Sequence, residues 1–478
     1  MQKLSRKNRT VSKPLPIKII QFGEGNFLRA FVEYAIQILN KEVAFNAGIA
    51  VVQPIEKGMV SMLNDQDGLY TLFTKGIKNG TTIENKELIT NIVAGIDPYI
   101  NFEEYLNLAK ETALEFIISN TTEAGISYAA SDEFDMSPPS SFPAKLTRLL
   151  FERFNHFEGA VDKGLTIIPC ELINHNSDTL KEIILDYIAL WNLPDEFKYW
   201  VMNSCTFHNT LVDRIVPGYP KNEIEAYNRQ LDYKDDLLVT AETFFLWVIE
   251  GDKSLKEKLP FHKTDLDVKI VDDMQPYRTR KVRILNGAHT AMVPFSLLYG
   301  NETVKETVEE SFTGPFIRSL VFDEILPTLD MDKDELVDFA EEVFDRFRNP
   351  FIKHQLASIA LNSISKFKVR VLPSLLDYLN NRGTLPIKTV FAFACLIRFY
   401  KGSYKEQKMP VNDDSIIVKE MAEIWSLSSL NDIVHQILAK KTYWDQDLNQ
   451  VKGLTNAIIT TLELIEEYGI ESGFSKLR

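Results

Sequence analysis

An apolar strand, a glycine turn and an amphipathic helix follow one another near the N-terminus, and this order constrains the fold more than any other feature. The run Ile17–Phe22 suits a buried strand, Gly23 and Gly25 follow, and residues 31–39 carry apolar side chains at helical spacing. A dinucleotide-binding fingerprint requires this context, with the glycines at the turn and the helix N-terminus facing a pyrophosphate. Leu28 stands where a third glycine is expected, so the fingerprint is incomplete.

The residue that would recognise a ribose is less clear in this sequence. The next apolar run, Gly48–Val52, is followed by Gln53, and Glu56 comes three positions later. A dinucleotide-binding fold often has an Asp or Glu at the end of this strand, where it binds the ribose 2′-hydroxyl. These residues alone therefore leave the choice between NAD and NADP open.

Length and charge limit the class of protein. A chain of 478 residues with 45% hydrophobic and 25% charged residues is expected to form about two soluble globular domains. Its net charge of −14 argues against non-specific binding to nucleic acid or to an anionic membrane surface. We therefore expect no nucleic-acid or membrane partner. A small-molecule ligand and a monomeric state are working assumptions.

Cysteine usage and the absence of apolar segments suggest where the protein acts. The three cysteines have no CxxC spacing, which suits a reducing cytoplasm and offers no disulfide framework. The first nine residues are basic but lack the apolar stretch of a signal peptide. No run approaches the roughly 20 apolar residues of a membrane span. We expect a cytoplasmic protein.

Two halves of different character follow one another along the chain. Up to about residue 275 short β-rich runs alternate with helical patterns, which predicts a mostly parallel α/β sheet. The predicted strands include Gly48–Val52, Phe116–Ser119, Leu165–Pro169 and Val268–Val271. After Lys281 the pattern is almost wholly helical, with one helix starting near a possible Asp334 cap and another between Gly453 and Gly469. We predict an α/β domain over residues 1–277 and a mostly helical domain over 278–478.

Lys281, Asn286 and His289 lie within nine positions at the start of the helical half, close to the expected seam between the domains. On a helix Asn286 and His289 share a face, whereas Lys281 lies about 80° from His289 and its long side chain must cover the gap. Such a trio can move a proton, steady an oxyanion and orient a hydroxyl. Spacing alone favours the plainer alternative of a solvated lysine, a helix-capping asparagine and a core histidine.

The combined motifs resemble those of the mannitol dehydrogenase family of long-chain polyol dehydrogenases, over nearly the whole chain. The runs that carry the resemblance are Phe22–Arg29, Ser119–Ile126, Ile168–Ile173, Leu211–Pro217, Lys281–Ala291 and Arg346–Pro350. Together these motifs are highly specific. The resemblance implies a Rossmann-type N-terminal domain and a helical C-terminal domain. It is closest to members that interconvert D-altronate and D-tagaturonate with NAD, without zinc, in hexuronate breakdown.

The resemblance also assigns roles to individual residues. It makes Lys281 the general acid/base, Asn176 and Asn286 the oxyanion-stabilising pair, and His289 the hydroxyl-binding residue. A substrate-contacting aspartate falls on Asp213, although an ordinary Asp213–Arg214 ion pair is nearly as well supported. The residues expected to bind the cofactor are Ile19, Ile20, Gln21, Phe22, Gly23, Glu24, Gly25, Asn26, Phe27, Leu28, Arg29, Ala30 and Gln53.

Two departures from the family pattern affect the cofactor and the substrate. The aspartate expected near Gln53 is absent, so NAD rests on the overall resemblance. Ser358 replaces an arginine of mannitol enzymes in a segment, residues 351–366, that we expect to form one helix. A substrate-contacting lysine of the family falls on Lys366. We expect Lys366, helped by Lys353 or His354, to bind a substrate carboxylate through a charge-assisted bond.

Several alternatives remain open at this stage. A zinc site would draw on Cys170, His175, Cys205 and His208, but no pair has zinc-finger spacing, and a lysine with two carboxamides makes a Lewis acid unnecessary. A lysine acting as base must lose its proton, and burial beside Arg278, Arg280 and Arg283 would help. Rival functions are a fructuronate or mannitol enzyme of the same family, a hydroxyacid dehydrogenase of the 6-phosphogluconate type, and a non-catalytic dinucleotide-binding regulator.

Overall fold

The computed structural model describes residues 2–9, 15–122 and 124–477. Glu123, within the family-like run 119–126, lies outside the described residues, as does Met1 of the basic start. The chain forms two compact units, one over Met1–Lys75 and Thr82–Met274, the other over Gly76–Thr81 and Gln275–Arg478. The predicted domain division after residue 277 stays a prediction, three residues beyond the division between these units.

The first unit contains an α/β sheet with flanking helices. The strands that lie wholly or mostly in it are β1 Ile17–Phe22, β2 Gly48–Val52, β3 Tyr70–Lys78, β4 Thr81–Ile89, β5 Ile92–Ile96, β6 Phe116–Ser119, β7 Thr166–Pro169, β8 Thr206–Phe207, β9 Thr210–Asp213, β10 Val239–Glu242, β11 Leu246–Glu250 and β12 Val268–Val271. Its helices are α1 Asn26–Ala30, α2 Val32–Val43, α3 Val60–Asp65, α4 Phe102–Asn107, α5 Phe142–His156, α6 Asn176–Leu190, α7 Asp195–Asn203, α8 Ile224–Arg229 and α9 Lys253–Lys258.

The main sheet of this unit has six strands in the order β5-β2-β1-β6-β7-β8, and every neighbouring pair is parallel. Side chains alternate between two apolar cores: Ile19 and Val51 pack on one face, and Ile20 and Val52 on the other. Continuous apolar runs are typical of parallel strands that are covered on both faces. The predicted Rossmann-type sheet is therefore confirmed.

The helix after β1 differs from the expected one in its start and continuity. It begins at Asn26 as α1, breaks at Phe31, and resumes as α2. The Phe31 ring stacks on Phe27 and Phe245, with ring centroids 4.9 and 4.3 Å away. We attribute the break to this packing, because the Phe31 side chain is fully buried in the core.

The second unit is almost entirely helical. Its helices are α10 Gln275–Lys281, α11 Gly287–Tyr299, α12 Val304–Glu309, α13 Thr313–Ser319, α14 Lys333–Phe347, α15 Leu356–Ile359, α16 Ser363–Arg370, α17 Leu372–Arg382, α18 Ile387–Phe399, α19 Ser415–Trp425, α20 Leu430–Ala439, α21 Lys441–Trp444, α22 Leu454–Tyr468 and α23 Ile470–Ser475. Two turns of π-helix, Val282–Asn286 and Leu320–Ile325, interrupt the α-helical pattern, and a hairpin joins β13 Ser403–Tyr404 to β14 Gln407–Lys408. In its core α18 packs against both α11 and α22.

Three expectations about helix ends can be compared with this unit. Gly453 and Gly469 bound α22 as predicted. Asp332, not Asp334, caps α14, since its carboxylate accepts the backbone N–H groups of Asp334 and Glu335. The single helix expected over residues 351–366 is wrong, because Asn362 adopts a left-handed conformation with φ of 54° and separates α15 from α16.

Candidate active site

The glycine turn of the first unit has the shape that a pyrophosphate site needs. Gly23 has φ of +115°, and an added Cβ would lie 2.8 Å from the Asn120 carbonyl oxygen, so a side chain is excluded there. An added Cβ on Gly25 would meet nothing within 4 Å, so the turn is open on that side. Gly25 precedes α1 with no side-chain cap, which leaves N–H groups of the first helical turn available. The turn therefore fits a phosphate group approaching the backbone.

Burial narrows the set of residues that can touch a cofactor through their side chains. The members of the expected set whose side chains are almost fully buried are Ile19, Ile20, Gln21, Phe22, Leu28, Arg29 and Ala30. The side chains of these residues build the core beneath the turn, and their part in binding the cofactor stays a prediction. The candidate surface is the turn itself, from Gly23 to Phe27.

Arg29 shows how the core supports that surface. Its guanidinium donates to the Asn26 side-chain oxygen at 2.6 Å and to the Leu237 carbonyl oxygen. The Tyr70 hydroxyl oxygen lies 2.5 Å from the Arg29 carbonyl oxygen and 2.6 Å from a Glu33 carboxylate oxygen. Burial lowers the pKa of Arg29 and raises that of Glu33. Arg29 thus positions Asn26 at the open turn.

In the second unit a π turn brings Lys281, Asn286 and His289 onto one face. Lys281 ends α10, Val282–Asn286 is π-helical, and His289 lies in the first turn of α11. A π turn acts as a one-residue insertion, so it rotates the preceding helix by about 100° relative to the following one. Lys281 then lies within roughly 20° of His289 and 40° of Asn286, instead of the 80° and 140° of a uniform α-helix. The gap expected from the sequence is closed by the backbone.

The three side chains on this face are also partly exposed. Lys281, Asn286 and His289 are half-buried, while the intervening Ile284 and Leu285 are buried. Asn286 makes no side-chain cap hydrogen bond, which removes the capping alternative. These three side chains therefore lie together at a partly accessible surface of the second unit.

Aromatic rings fix the surroundings of His289. Its ring packs on Phe347 with centroids 4.4 Å apart, and the His354 ring meets it edge to face at 5.0 Å. Burial, and to a smaller extent the positive charge of Arg346, lower the pKa of His354. His354 is therefore a neutral, half-buried neighbour of His289 near pH 7.

Two of the three arginines near Lys281 are held by carboxylates. Arg280 donates to Glu335 at 2.8 Å and lies over the Phe339 ring. Arg283 donates to Ser374 at 2.9 Å and to Asp377 at 3.1 Å. These ion pairs tie the α10 segment and the π turn to α14 and α17. We therefore assign Arg280 and Arg283 to holding the π turn in place.

Lys366 lies in α16, with its ammonium 2.9 Å from the Ile359 carbonyl oxygen. Burial, and then the charge of Arg370, lower the pKa of Lys366. Lys353 is exposed and precedes α15.

Sequence reasoning missed Arg370, a half-buried cation. Its guanidinium lies 3.5 Å from the Thr290 hydroxyl, beside the His289 helix turn. Its position four residues after Lys366 on one helix face was a usable signal.

The Asn176 carboxamide is hydrogen-bonded to the backbone around it. The side chain is fully buried, and its amide nitrogen lies 3.0 Å from the Pro169 carbonyl oxygen and 3.1 Å from that of Glu171. Its amide oxygen accepts the Thr210 N–H at 3.0 Å. In this structure Asn176 joins the end of β7 to the start of β9, and the oxyanion role that the resemblance assigns to it stays a prediction.

Asp213 ends β9 and is buried, next to Arg214. The Arg214 guanidinium donates to the Glu242 carbonyl oxygen at 2.9 Å and to the Ala30 carbonyl oxygen at 2.6 Å. Burial lowers the pKa of Arg214 to about 10. These bonds connect β9, β10 and the end of α1, which gives Arg214 a structural role.

The residues considered for zinc lie in different surroundings. Cys170 and Cys205 are buried, and burial raises the pKa of both thiols. His175 faces Asp178 at 3.3 Å, and the His208 ring lies 2.8 Å from the Glu250 carbonyl oxygen. Among the described residues no three Asp, Glu, His or Cys side chains are grouped as metal ligands would be.

A Rossmann-type unit with an open glycine turn, together with a helical unit that presents Lys281, Asn286 and His289, defines a dehydrogenase. Residues 17–263 match the mannitol dehydrogenase Rossmann domain, and residues 273–466 match the mannitol dehydrogenase C-terminal domain. The chain belongs to the mannitol dehydrogenase family, and it is an oxidoreductase. None of the described helices is both long and apolar enough to cross a membrane.

Relatives with assigned names match the whole length. The altronate oxidoreductase of Yersinia enterocolitica is 46% identical over 99% of both chains, and that of Shigella flexneri is 47% identical over 97% of both. D-sorbitol dehydrogenase in its substrate-free form superposes with a TM-score of 0.81 at 19% identity, covering 99% of this chain and 100% of that one. Pseudomonas fluorescens mannitol 2-dehydrogenase, solved with NAD and D-mannitol, has a TM-score of 0.66 at 20% identity, covering 100% of this chain and 99% of that one. These two structures confirm the fold.

Proposed function

We propose that the protein interconverts D-altronate and D-tagaturonate with NAD as the cofactor. The single observation that carries the chemistry is the π turn, which places Lys281, Asn286 and His289 on one face. The substrate class is supported by the full-length similarity to altronate oxidoreductases. The cofactor is supported by the open glycine turn and by the NAD that accompanies the related mannitol enzyme.

The residues of the glycine turn would hold the dinucleotide. Gly23 and Gly25 allow the pyrophosphate to approach the backbone, and Arg29 keeps Asn26 in place beside it. When bound, the nicotinamide supplies or accepts the hydride. The rest of the chemistry falls to side chains of this chain.

Reduction of tagaturonate needs one proton and stabilisation of a developing alkoxide. The Lys281 ammonium gives the proton to the former carbonyl oxygen, and the Asn286 amide donates a hydrogen bond to that oxygen as its negative charge develops. His289 orients a neighbouring hydroxyl. The products are altronate and oxidised cofactor, and altronate oxidation runs the same steps backwards with neutral Lys281 as base. Asn176, the second asparagine that the family resemblance assigns to the oxyanion, begins α6 just after β7, and its role in stabilising the alkoxide stays a prediction.

The substrate carboxylate needs a cation at the end of the molecule that does not react. Lys366 stays our candidate, and Arg370 and His354 lie in the same part of the second unit. A charge-assisted bond of this kind contributes about 1.5–3 kcal/mol.

A cytoplasmic location and a monomeric state remain predictions.

A screen of NADH oxidation against tagaturonate, fructuronate and fructose tests the proposal. We expect the largest kcat/KM with tagaturonate, followed by fructuronate, because both carry a carboxylate, and little turnover of fructose. A preference for fructose would overturn the substrate assignment, and a preference for fructuronate would move the protein to the sister activity.

A further inference from the structure

Three neighbouring strands of the first unit deliver acidic and amide side chains to one edge of the sheet. β1, β2 and β5 are parallel neighbours, and Phe22 pairs with Val52, which in turn pairs with Ile96. Glu24 lies in the glycine turn after β1, Gln53 follows β2, and Asp97 follows β5. These residues therefore lie side by side, next to the turn proposed to hold the pyrophosphate.

Gln53 is the residue expected at the ribose position, and both ends of its amide group are hydrogen-bonded within the protein. It is 3% exposed, and its amide nitrogen donates to the Asp97 carboxylate and to the Glu56 carbonyl oxygen, both at 3.1 Å. Its amide oxygen lies 3.4 Å from the Val60 N–H nitrogen. Gln53 therefore ties the β2 loop to Asp97, and we assign it a positioning role.

The β2 loop packs closely on this arrangement. An added Cβ on Gly58 would lie 2.2 Å from a Glu24 carboxylate oxygen and 2.4 Å from the Gln53 amide carbon. The same Glu24 oxygen accepts the Met59 N–H at 3.2 Å. Asp97 in turn accepts the Tyr99 N–H at 2.9 Å. The loop is thus held against both carboxylates.

Carboxyl groups from the glycine turn, the β2 loop and the residue after β5 meet at this edge. Burial raises the pKa of Glu24, backbone hydrogen bonds and the positive charge of Arg29 oppose this rise, and the Asp97 carboxylate adds to it. Glu56 and Asp97 likewise contribute to a raised pKa of Tyr99, after burial. Glu56 is exposed on the loop, beside exposed Lys57.

Two further cations near this edge are bonded elsewhere. The Lys145 ammonium donates to the Ser140 carbonyl oxygen at 2.8 Å and lies on the Tyr99 ring, 4.9 Å from its centroid. The Arg29 guanidinium is bonded to Leu237 and Asn26.

We infer that Asp97 and Glu56, with Glu24 behind them, replace the carboxylate that usually ends β2 and select the adenosine 2′-hydroxyl of NAD over the 2′-phosphate of NADP. A 2′-phosphate would add close to two negative charges at this edge, where like charges a few ångströms apart repel strongly. The inference rests on the proposed function for the position of the dinucleotide. Beyond the proposed function, it names the residues that distinguish the two cofactors: Asp97, which follows β5, and Glu56 on the β2 loop.

Direct binding measurements test this selection without relying on turnover. NADH and NADPH are titrated into the full-length protein at low ionic strength, and their fluorescence gives both dissociation constants. The variants are Asp97→Asn, Glu24→Gln and Glu56→Gln. Glu115→Gln is the matched control, because Glu115 is an exposed carboxylate directly before β6, at the opposite edge of the sheet.

We expect the parent protein to bind NADH more tightly than NADPH. Each neutralisation should shift the ratio of the two dissociation constants toward NADPH by about three- to tenfold, and the control should leave it unchanged. Gln53→Met should weaken NADH binding without a comparable gain for NADPH, because Asp97 loses its partner but keeps its charge.

Equal ratios in the parent and all three variants would overturn the inference. Glu56→Gln alone suffices for this outcome if the buried variants fail to fold, since Glu56 is exposed. Absence of binding of either nucleotide would overturn both the inference and the proposed function. Normal selection of NADH in a protein that does not reduce tagaturonate would overturn the proposed function alone and support the inference.

Discussion

Lys281 and Asn286 are joined by a single turn of π-helix, and this turn changes which side chains lie beside each other. In a continuous α-helix the two side chains would point about 140° apart, whereas the inserted residue reduces this to roughly 40°. A proton donor and an amide donor can then face the same substrate oxygen. The π turn is anchored by Arg280 on Glu335 and by Arg283 on Asp377, so the arrangement depends on packing within the helical unit.

We predict opposite effects for the two asparagines. Asn286→Ala should lower kcat by about 10²–10³-fold, the usual loss for one oxyanion donor, with little change in melting temperature. Asn176→Ala should destabilise the protein by about 1–3 kcal/mol, because it leaves the Thr210 N–H without its buried acceptor. Steady-state kinetics and thermal unfolding of both variants check this. A large kcat loss at normal stability for Asn176→Ala would support its role at the oxyanion.

Lys366→Met should weaken use of tagaturonate by about ten- to a hundredfold in kcat/KM, because a charge-assisted contact to the carboxylate is lost. Any weak activity on neutral fructose should fall much less. Lys368→Met is the matched control, since Lys368 lies in the same helix but pairs with Asp445. Equal losses on the acid and the neutral sugar would show that Lys366 supports the fold through its bond to Ile359.

Activity should not depend on a metal ion. Lys281 and Asn286 supply the proton and the stabilisation of the oxyanion, so prolonged treatment with EDTA is expected to leave turnover intact. The measurement is NADH oxidation before and after chelation, and again after addition of zinc. Loss on chelation followed by recovery with zinc would return Cys170, His175, Cys205 and His208 to consideration.

Stability should decrease as the pH falls below about 6.5, the ordinary pKa of histidine. Burial lowers the pKa of His208 and His354 in the folded protein, so the unfolded chain binds more protons in this range. Their contribution is present above the unfolded pKa and is lost on acidification. Melting temperatures at pH 7.5 and 5.5 should show the decrease, and His208→Asn should make it smaller. An unchanged pH dependence in that variant would contradict this origin.

Patterns local in sequence predicted much of the fold. β1, β2, β6 and β12 have the expected bounds. For β2 and β6 the reason is that continuous apolar runs mark strands buried on both faces. Gly453 and Gly469 mark the ends of α22 for an equally local reason. The break at Phe31 was not predictable, since it depends on packing against Phe245, more than two hundred positions away.

The site was less predictable because its geometry depends on contacts between distant residues. The residue types at Lys281, Asn286 and His289 were visible in the sequence, but the π turn that aligns them was not. Asn176 has a suitable amide, yet only the folded β7–β9 connection shows that this amide is already bonded. Gln53 and Asp97 meet because β2 and β5 are neighbours in the sheet, a pairing that sequence spacing does not reveal.

The most direct test of the account is the effect of Lys281→Ala on tagaturonate reduction, measured together with NADH binding. We predict that turnover falls by about 10²-fold or more, the usual cost of losing a general acid/base, while the NADH dissociation constant is unchanged. Lys281→Arg should not rescue the activity, because a guanidinium does not release its proton. Turnover close to that of the parent in the Lys281→Ala protein would contradict the assignment.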